Sequence, residues 1–73
     1  MGKLRVLSGQ EICEILSSHG FAIVRQRGSH FVMQKKSGTS TITVPVPNHK
    51  EIKIGTLKSI IRQSKLLSSD FEE

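Results

Sequence analysis

A chain of 73 residues has room for one domain, read here as spanning residues 1–73, and buries too little surface to build a deep substrate cavity. Hydrophobic residues make up 36%, with three Phe and neither Trp nor Tyr, so any core is thin and aliphatic. The net charge of +5 is concentrated: residues 25–65 hold nine Lys or Arg and a single acid, Glu51, a field that favours a polyanionic partner, with a solvated basic surface as the plain alternative.

The start, MGKLRV, has the Met-Gly of a myristoylation signal but Val6 where Ser or Thr is wanted. No secretory apolar region follows, and the longest unbroken apolar run, residues 21–24, is far short of the ~20 needed to span a bilayer. A cytoplasmic protein is expected. Ser8-Gly9-Gln10-Glu11 reads as a capping box, with Leu7 and Ile12 placed as a hydrophobic staple. Ile12, Ile15 and Leu16 recur at helical spacing and Gly20 is a natural stop, predicting a first helix over residues 9–19. Cys13, the single cysteine, excludes an internal disulfide and reads as a small buried hydrophobe. His19 suits a helix C-terminus and is assigned no chemistry.

From Phe21 the pattern turns to β-branched and aromatic residues: FAIVRQR, HFVMQK and STITVPV. Gly28-Ser29 is the kind of pair found in two-residue hairpin turns, and it sets a register in which Arg27 faces His30, Gln26 faces Phe31, Arg25 faces Val32 and Val24 faces Met33. Alternation then places Ala22, Val24, Phe31 and Met33 towards the helices, and Arg25, Arg27, His30 and Gln34 towards water. In the third strand Ile42, Val44 and Val46 point inward, while Pro45 and Pro47 mark an edge or a strand end. After a loop at residues 48–51, Leu57, Ile60 and Ile61 predict a second helix over residues 56–65, with Leu66-Leu67 closing over the core. The expected fold is α+β: an α-β-β-β-α order with a three-stranded antiparallel sheet and both helices packed on one face.

An exposed histidine beside arginines has a chemical use. Metal-independent RNA cleavage needs a group that takes and releases protons near neutrality, and cations to stabilise charge on the phosphoryl oxygens. His30 and Arg27 supply one of each. The plain alternative is an inert histidine next to a turn, with Arg25 and Arg27 merely solvating the sheet. Ser29 lacks a nearby acid to complete a triad with His30. His49, in the loop after the third strand, is a candidate second proton carrier. Lys53 and Lys58 flank the start of the second helix, where backbone N–H groups also attract phosphate. His19, His30 and His49 lack metal-site spacing, and no metal or cofactor is expected.

RQRGSH, a strand ending in TVPVP, and KEIKIGTLKSIIRQ, in that order and spacing, resemble the HicA-type toxins of bacterial toxin–antitoxin pairs over about residues 7–67. The resemblance implies a double-stranded-RNA-binding-like fold and a metal-independent endoribonuclease acting on single-stranded mRNA. The histidine of its Gly-Ser-His motif, here His30, is the implied catalytic residue, and a HicB-type antitoxin is the implied inhibitor. RNA contacts are expected from Arg25, Arg27, Ser29, Lys35, Lys36, Lys53 and Lys58. Many members carry a second histidine where this chain has Phe31, and proline where it has Ile54. A non-catalytic RNA-binding module of the same fold is the alternative, and a domain docking its basic face on an acidic protein is a third reading.

Overall fold

The structure, a computed structural model, describes residues 3–72. Met1 and Gly2 of the myristoylation-like start lie outside the described residues, as does Glu73. Chain order is α1 (Gly9–Ser18), β1 (Ala22–Arg27), β2 (His30–Ser37), β3 (Ser40–Pro47), α2 (Ile54–Ser64) and a short 3-10 turn (Ser68–Phe71). This is the expected α-β-β-β-α arrangement.

α1 begins where its capping box requires. The Glu11 amide donates to Ser8 Oγ (3.1 Å), and Glu11 Oε1 accepts from the Ser8 amide (2.9 Å). Between them these bonds satisfy two amides that the helix cannot pair internally. Ile12, Cys13 and Leu16 form the buried stripe, and the chain leaves through Gly20 at φ +95°. α2 starts at Ile54, two residues ahead of the expected 56. The reason is that Lys53, extended and without a side-chain cap, already serves as its boundary. It stops at Ser64 because Lys65 turns left-handed (φ 61°). Leu57, Ile60 and Ile61 are its buried face.

β2 is the central strand of an antiparallel sheet ordered β1-β2-β3. Met33, Val44 and Val46 turn inward and are fully buried with Leu7, Ile12, Leu16, Leu57 and Ile60, while Phe31 and Ile42 pack at the margin. Both helices therefore cover one side of the sheet and leave the other open. Phe71, fully buried, completes the core in the place expected of Leu66-Leu67. Leu66 packs only at the core's edge and Leu67 is 70% exposed. The C-terminal segment is fastened across the N-terminal one by Arg5 N–H to Phe71 O (3.0 Å) and a Leu4–Glu72 bridge.

The β1 register departs from strict alternation. Arg27–His30, Gln26–Phe31 and Arg25–Val32 pair as expected, but Met33 faces Ile23 and Gln34 faces Ala22. Val24 is an inserted bulge residue. Ala22 and Val24, expected inward, sit on the open side, and Ile23 takes the inward position. The cause is a parity conflict. Phe21, Arg25 and Arg27 are all odd-numbered, so a regular strand would put all three on one face. Phe21 is buried (3% exposed) while both arginines are in water. Burying a Phe is worth ~1.5–3 kcal/mol and burying an unpaired arginine is strongly unfavourable. One extra residue lets both preferences be met.

Candidate active site

His30 stands on the open face of the sheet, at the end of β2 beside the Gly28-Ser29 turn. Gly28 enters its turn at φ +56°, whereas Ser29 has no positive φ, the pattern of a type II′ hairpin with glycine first. A Cβ at Gly28 would meet nothing within 4 Å, so the glycine is required by backbone angle and not by space. The Ser29 carbonyl accepts from the Asn48 amide, which fastens the turn to the loop leaving β3.

His30 opens β2 and is paired on both sides, with Arg27 of β1 and Pro47 of β3. A side chain on a central strand has its backbone fixed by two neighbours, which suits a group that must be held in position. Directly opposed residues of an antiparallel pair share a face with Cβ atoms ~4.5–5.5 Å apart, so the Arg27 guanidinium reaches over the same surface as the His30 imidazole. Both are exposed.

The bulge extends this surface. Val24 and Arg25 lie together on the open face, where with Arg27, Val32 and Gln34 they line a hollow of about 330 Å³. Residues 21–47 contain four Lys or Arg and no Asp or Glu. The one contact between a basic side chain and a carboxylate within 4.0 Å among the described residues is remote, between His19 Nε2 and Asp70 Oδ1 (3.6 Å). The positive charge of Arg25 and Arg27 is thus not discharged within the described residues.

The remaining candidates fall in different places. Ser29 sits in the turn itself. Lys36 shares the open face but stands opposite Thr41 at the far end of β2, six residues and ~20 Å from His30. Lys35 lies on the other side of the sheet from His30: its ammonium stands over the Phe21 ring, 5.9 Å from the centroid, and its stem covers Gly20. The alternation that puts Gln34 outward puts Lys35 inward, so it does not belong to the His30 surface. Lys53 and Lys58 are exposed on the helical layer, at and just beyond the start of α2. That start is near the His30 end of the sheet, because the 48–53 loop bonds both the Gly28-Ser29 turn and the segment before α1 (Ile52 N–H to Leu7 O, 2.8 Å). His49 is in the same loop, but its side chain lines a separate hollow with Ser8, Gln10 and Lys50 beside the α1 N-terminus. Cys13 is buried, and that burial pushes its thiol above the ordinary range, leaving it poorly suited to act as a nucleophile. No three His, Cys, Asp or Glu side chains converge among the described residues.

Val24, Val32 and Gln34 were not assigned a site role on sequence grounds. Gln34 could have been found from alternation, which places it beside the arginines. Val24 could not, because its position depends on the bulge.

A family model described as the HicA toxin of bacterial toxin–antitoxin systems matches residues 9–66, from the first residue of α1 to just past the end of α2. No curated protein matches the chain.

Proposed function

The chain belongs to the HicA family of bacterial toxins, and from that premise we propose that it is a metal-independent endoribonuclease that cuts single-stranded mRNA in the cytoplasm, using His30. The observation that carries this reading is the cross-strand pairing of His30 with Arg27, both exposed and Arg27 without an acidic partner among the described residues, on a sheet face without acids. A phosphodiester lying across that pair meets both of the groups its cleavage needs.

His30 takes the proton from the ribose 2′-hydroxyl as the 2′-oxygen attacks the adjacent phosphorus. The new O2′–P bond forms and the P–O5′ bond breaks. The departing 5′-oxygen takes up a proton from the water that has free access to this face. Products are a 2′,3′-cyclic phosphate and a 5′-hydroxyl. Arg27 and Arg25 stabilise the charge that builds on the phosphoryl oxygens. RNA binding through such contacts weakens as salt is raised. A HicB-type antitoxin inhibits the toxin by covering the His30 face, where RNA and inhibitor would compete for the same cations.

The test is to purify the wild type and His30→Ala and to follow cleavage of a labelled mRNA in the presence of EDTA. A general base contributes ~10²–10⁴-fold, so His30→Ala should fall to background while retaining most of its RNA affinity. Its expression should also cease to arrest growth. Equal cleavage, or equal arrest, by the two proteins would remove His30 from the reaction. RNA binding without cleavage by the wild type would favour the binding-module alternative.

A further inference from the structure

The hollow next to His30 has a composition that its surroundings do not explain. Val24 is 53% exposed on the water-facing side of the sheet, and Val32, beside it across the strand pair, is half-buried only by its neighbours. Pro45 flanks Val32 on β3, on the same face. An apolar floor therefore lies beside two guanidiniums that have no ion-pair partner among the described residues. A solvated basic surface has no need of it, and an exposed apolar patch enclosed by polar groups is a common mark of a binding site.

We propose that this hollow is a nucleobase subsite. An unstacked base of single-stranded RNA lies on Val24 and Val32, Gln34 reads its edge, and Arg25 and Arg27 hold the phosphates on either side. The proposal rests on the ribonuclease reading only for its supposition that the nucleic acid is the one on which His30 acts.

Four observations support this occupant. The volume, about 330 Å³, is at the small end of the ~300–1,000 Å³ range of small-molecule sites, which suits one nucleotide. Arginine is the side chain best fitted to the parts of a nucleotide, since its plane stacks on bases and its fork pairs with phosphate. Gln34 is held in place: its Nε2 donates to Thr43 Oγ1 (3.2 Å), leaving Oε1 and the second N–H of the amide free to pair. An acceptor next to a donor can pair with the edge of any base, an amino group beside a ring nitrogen or a ring N–H beside a carbonyl, so Gln34 distinguishes a base from no base and not one base from another. Finally, Val32 is two residues beyond His30 on the same face, ~6.5–7 Å along β2. A base seated on it brings an adjacent phosphate to the Arg27–His30 pair. Bases stacked inside a duplex cannot enter such a hollow, so the subsite also selects single strands.

The experiment uses the full chain carrying His30→Ala, to prevent cleavage, and fluorescence anisotropy with three labelled oligoribonucleotides: oligo-A, oligo-U and an abasic strand of equal length. The parent is expected to bind oligo-A and oligo-U each about tenfold more tightly than the abasic strand. Gln34→Leu, similar in shape but without the amide, should weaken oligo-A and oligo-U severalfold and leave the abasic strand unchanged. Val24→Ser should weaken oligo-A severalfold and leave the abasic strand unchanged. Both positions are on the surface, and a circular dichroism melt establishes that each variant is folded. Equal affinity of the parent for all three strands, or variants that bind all three as the parent does, would overturn the subsite. Cleavage by the wild-type chain is scored separately. The subsite fails alone if cleavage depends on His30 but binding ignores the base, and the ribonuclease reading fails alone if binding follows the base but nothing is cut.

Discussion

Gly9→Ala tests how the first helix is seated on the loop that shapes the His30 end of the sheet. Two effects oppose each other. Alanine is the better helix former and restricts the unfolded chain, which favours the variant by up to ~1 kcal/mol. Against this, a Cβ at Gly9 would overlap the Pro47 carbonyl oxygen and stand 3.1 Å from both Pro47 C and Asn48 Cα. The obstacle is backbone and cannot swing aside as a side chain would. Overpacking costs typically ~1–3 kcal/mol, and a backbone obstacle belongs at the upper end. The net expectation is a loss of about 2 kcal/mol. A chain of this length holds ~4–11 kcal/mol in total, so the loss is a substantial share. In urea denaturation the midpoint should fall by about 1 M with the slope unchanged. Because Asn48 also donates to Ser29 O and Gly9 donates to His49 O (2.9 Å), the amide signals of Ser29, His30 and Asn48 should move as well. A variant as stable as the wild type, or more so, would show that helix propensity outweighs the close approach and that α1 is not seated as described.

The Ser8–Glu11 box has a pH signature. Accepting the Ser8 backbone N–H, and then the Ser8 side-chain interaction, hold the Glu11 carboxyl below its ordinary value of 4.5, so the stability it contributes is complete above the unfolded value and is lost as pH falls through the folded one. Glu11→Gln, which keeps a capping partner without the charge, should flatten the decline of the urea midpoint below about pH 4.5; an unchanged acid limb would dismiss the carboxylate as its source. Phe71→Ala should cost ~3–5 kcal/mol, enough to bring the domain close to unfolding at body temperature, as read by a thermal melt. Cys13 should react with a thiol reagent far more slowly in the native protein than in urea, since burial both hides it and raises its thiol. Deleting Val24 should leave a regular ladder, because Ile23–Met33 and Arg25–Val32 already occupy consecutive positions on β2; stability should change by less than about 1 kcal/mol, while a loss of the Arg27–His30 pairing in NMR contacts would contradict the bulge.

Features governed by short-range chemistry were legible in the sequence. Ser8 and Glu11 are three residues apart, and their reciprocal bonds need nothing from the rest of the fold. Gly28-Ser29 works the same way: a two-residue turn imposes the pairing of its flanking residues, and Arg27–His30, Gln26–Phe31 and Arg25–Val32 follow. The features that were missed depend on distant partners. Phe71 looks like part of a frayed end until Arg5 pairs with its carbonyl and the ring closes the core. Gly9 looks like an ordinary first helical residue until Pro47 arrives against it. Lys35 belongs by charge with Lys36, yet the pleat sends the two to opposite faces.

Val24 is the case in which a long-range requirement alters the functional surface. Working outward from the turn, alternation is correct for three pairs and puts the arginines in water. Working from the other end, Phe21 must enter the core that Leu16, Met33 and Leu57 share. These two demands have opposite parity over six residues, and no regular strand can meet both. The insertion that reconciles them places a valine and an arginine side by side on the open face, one strand pair from His30. The hollow offered to a nucleobase is therefore a consequence of burying one phenylalanine. Any chain with this turn and a core residue six positions before its second arginine faces the same conflict, and should resolve it with a bulge on the strand that leads into the turn.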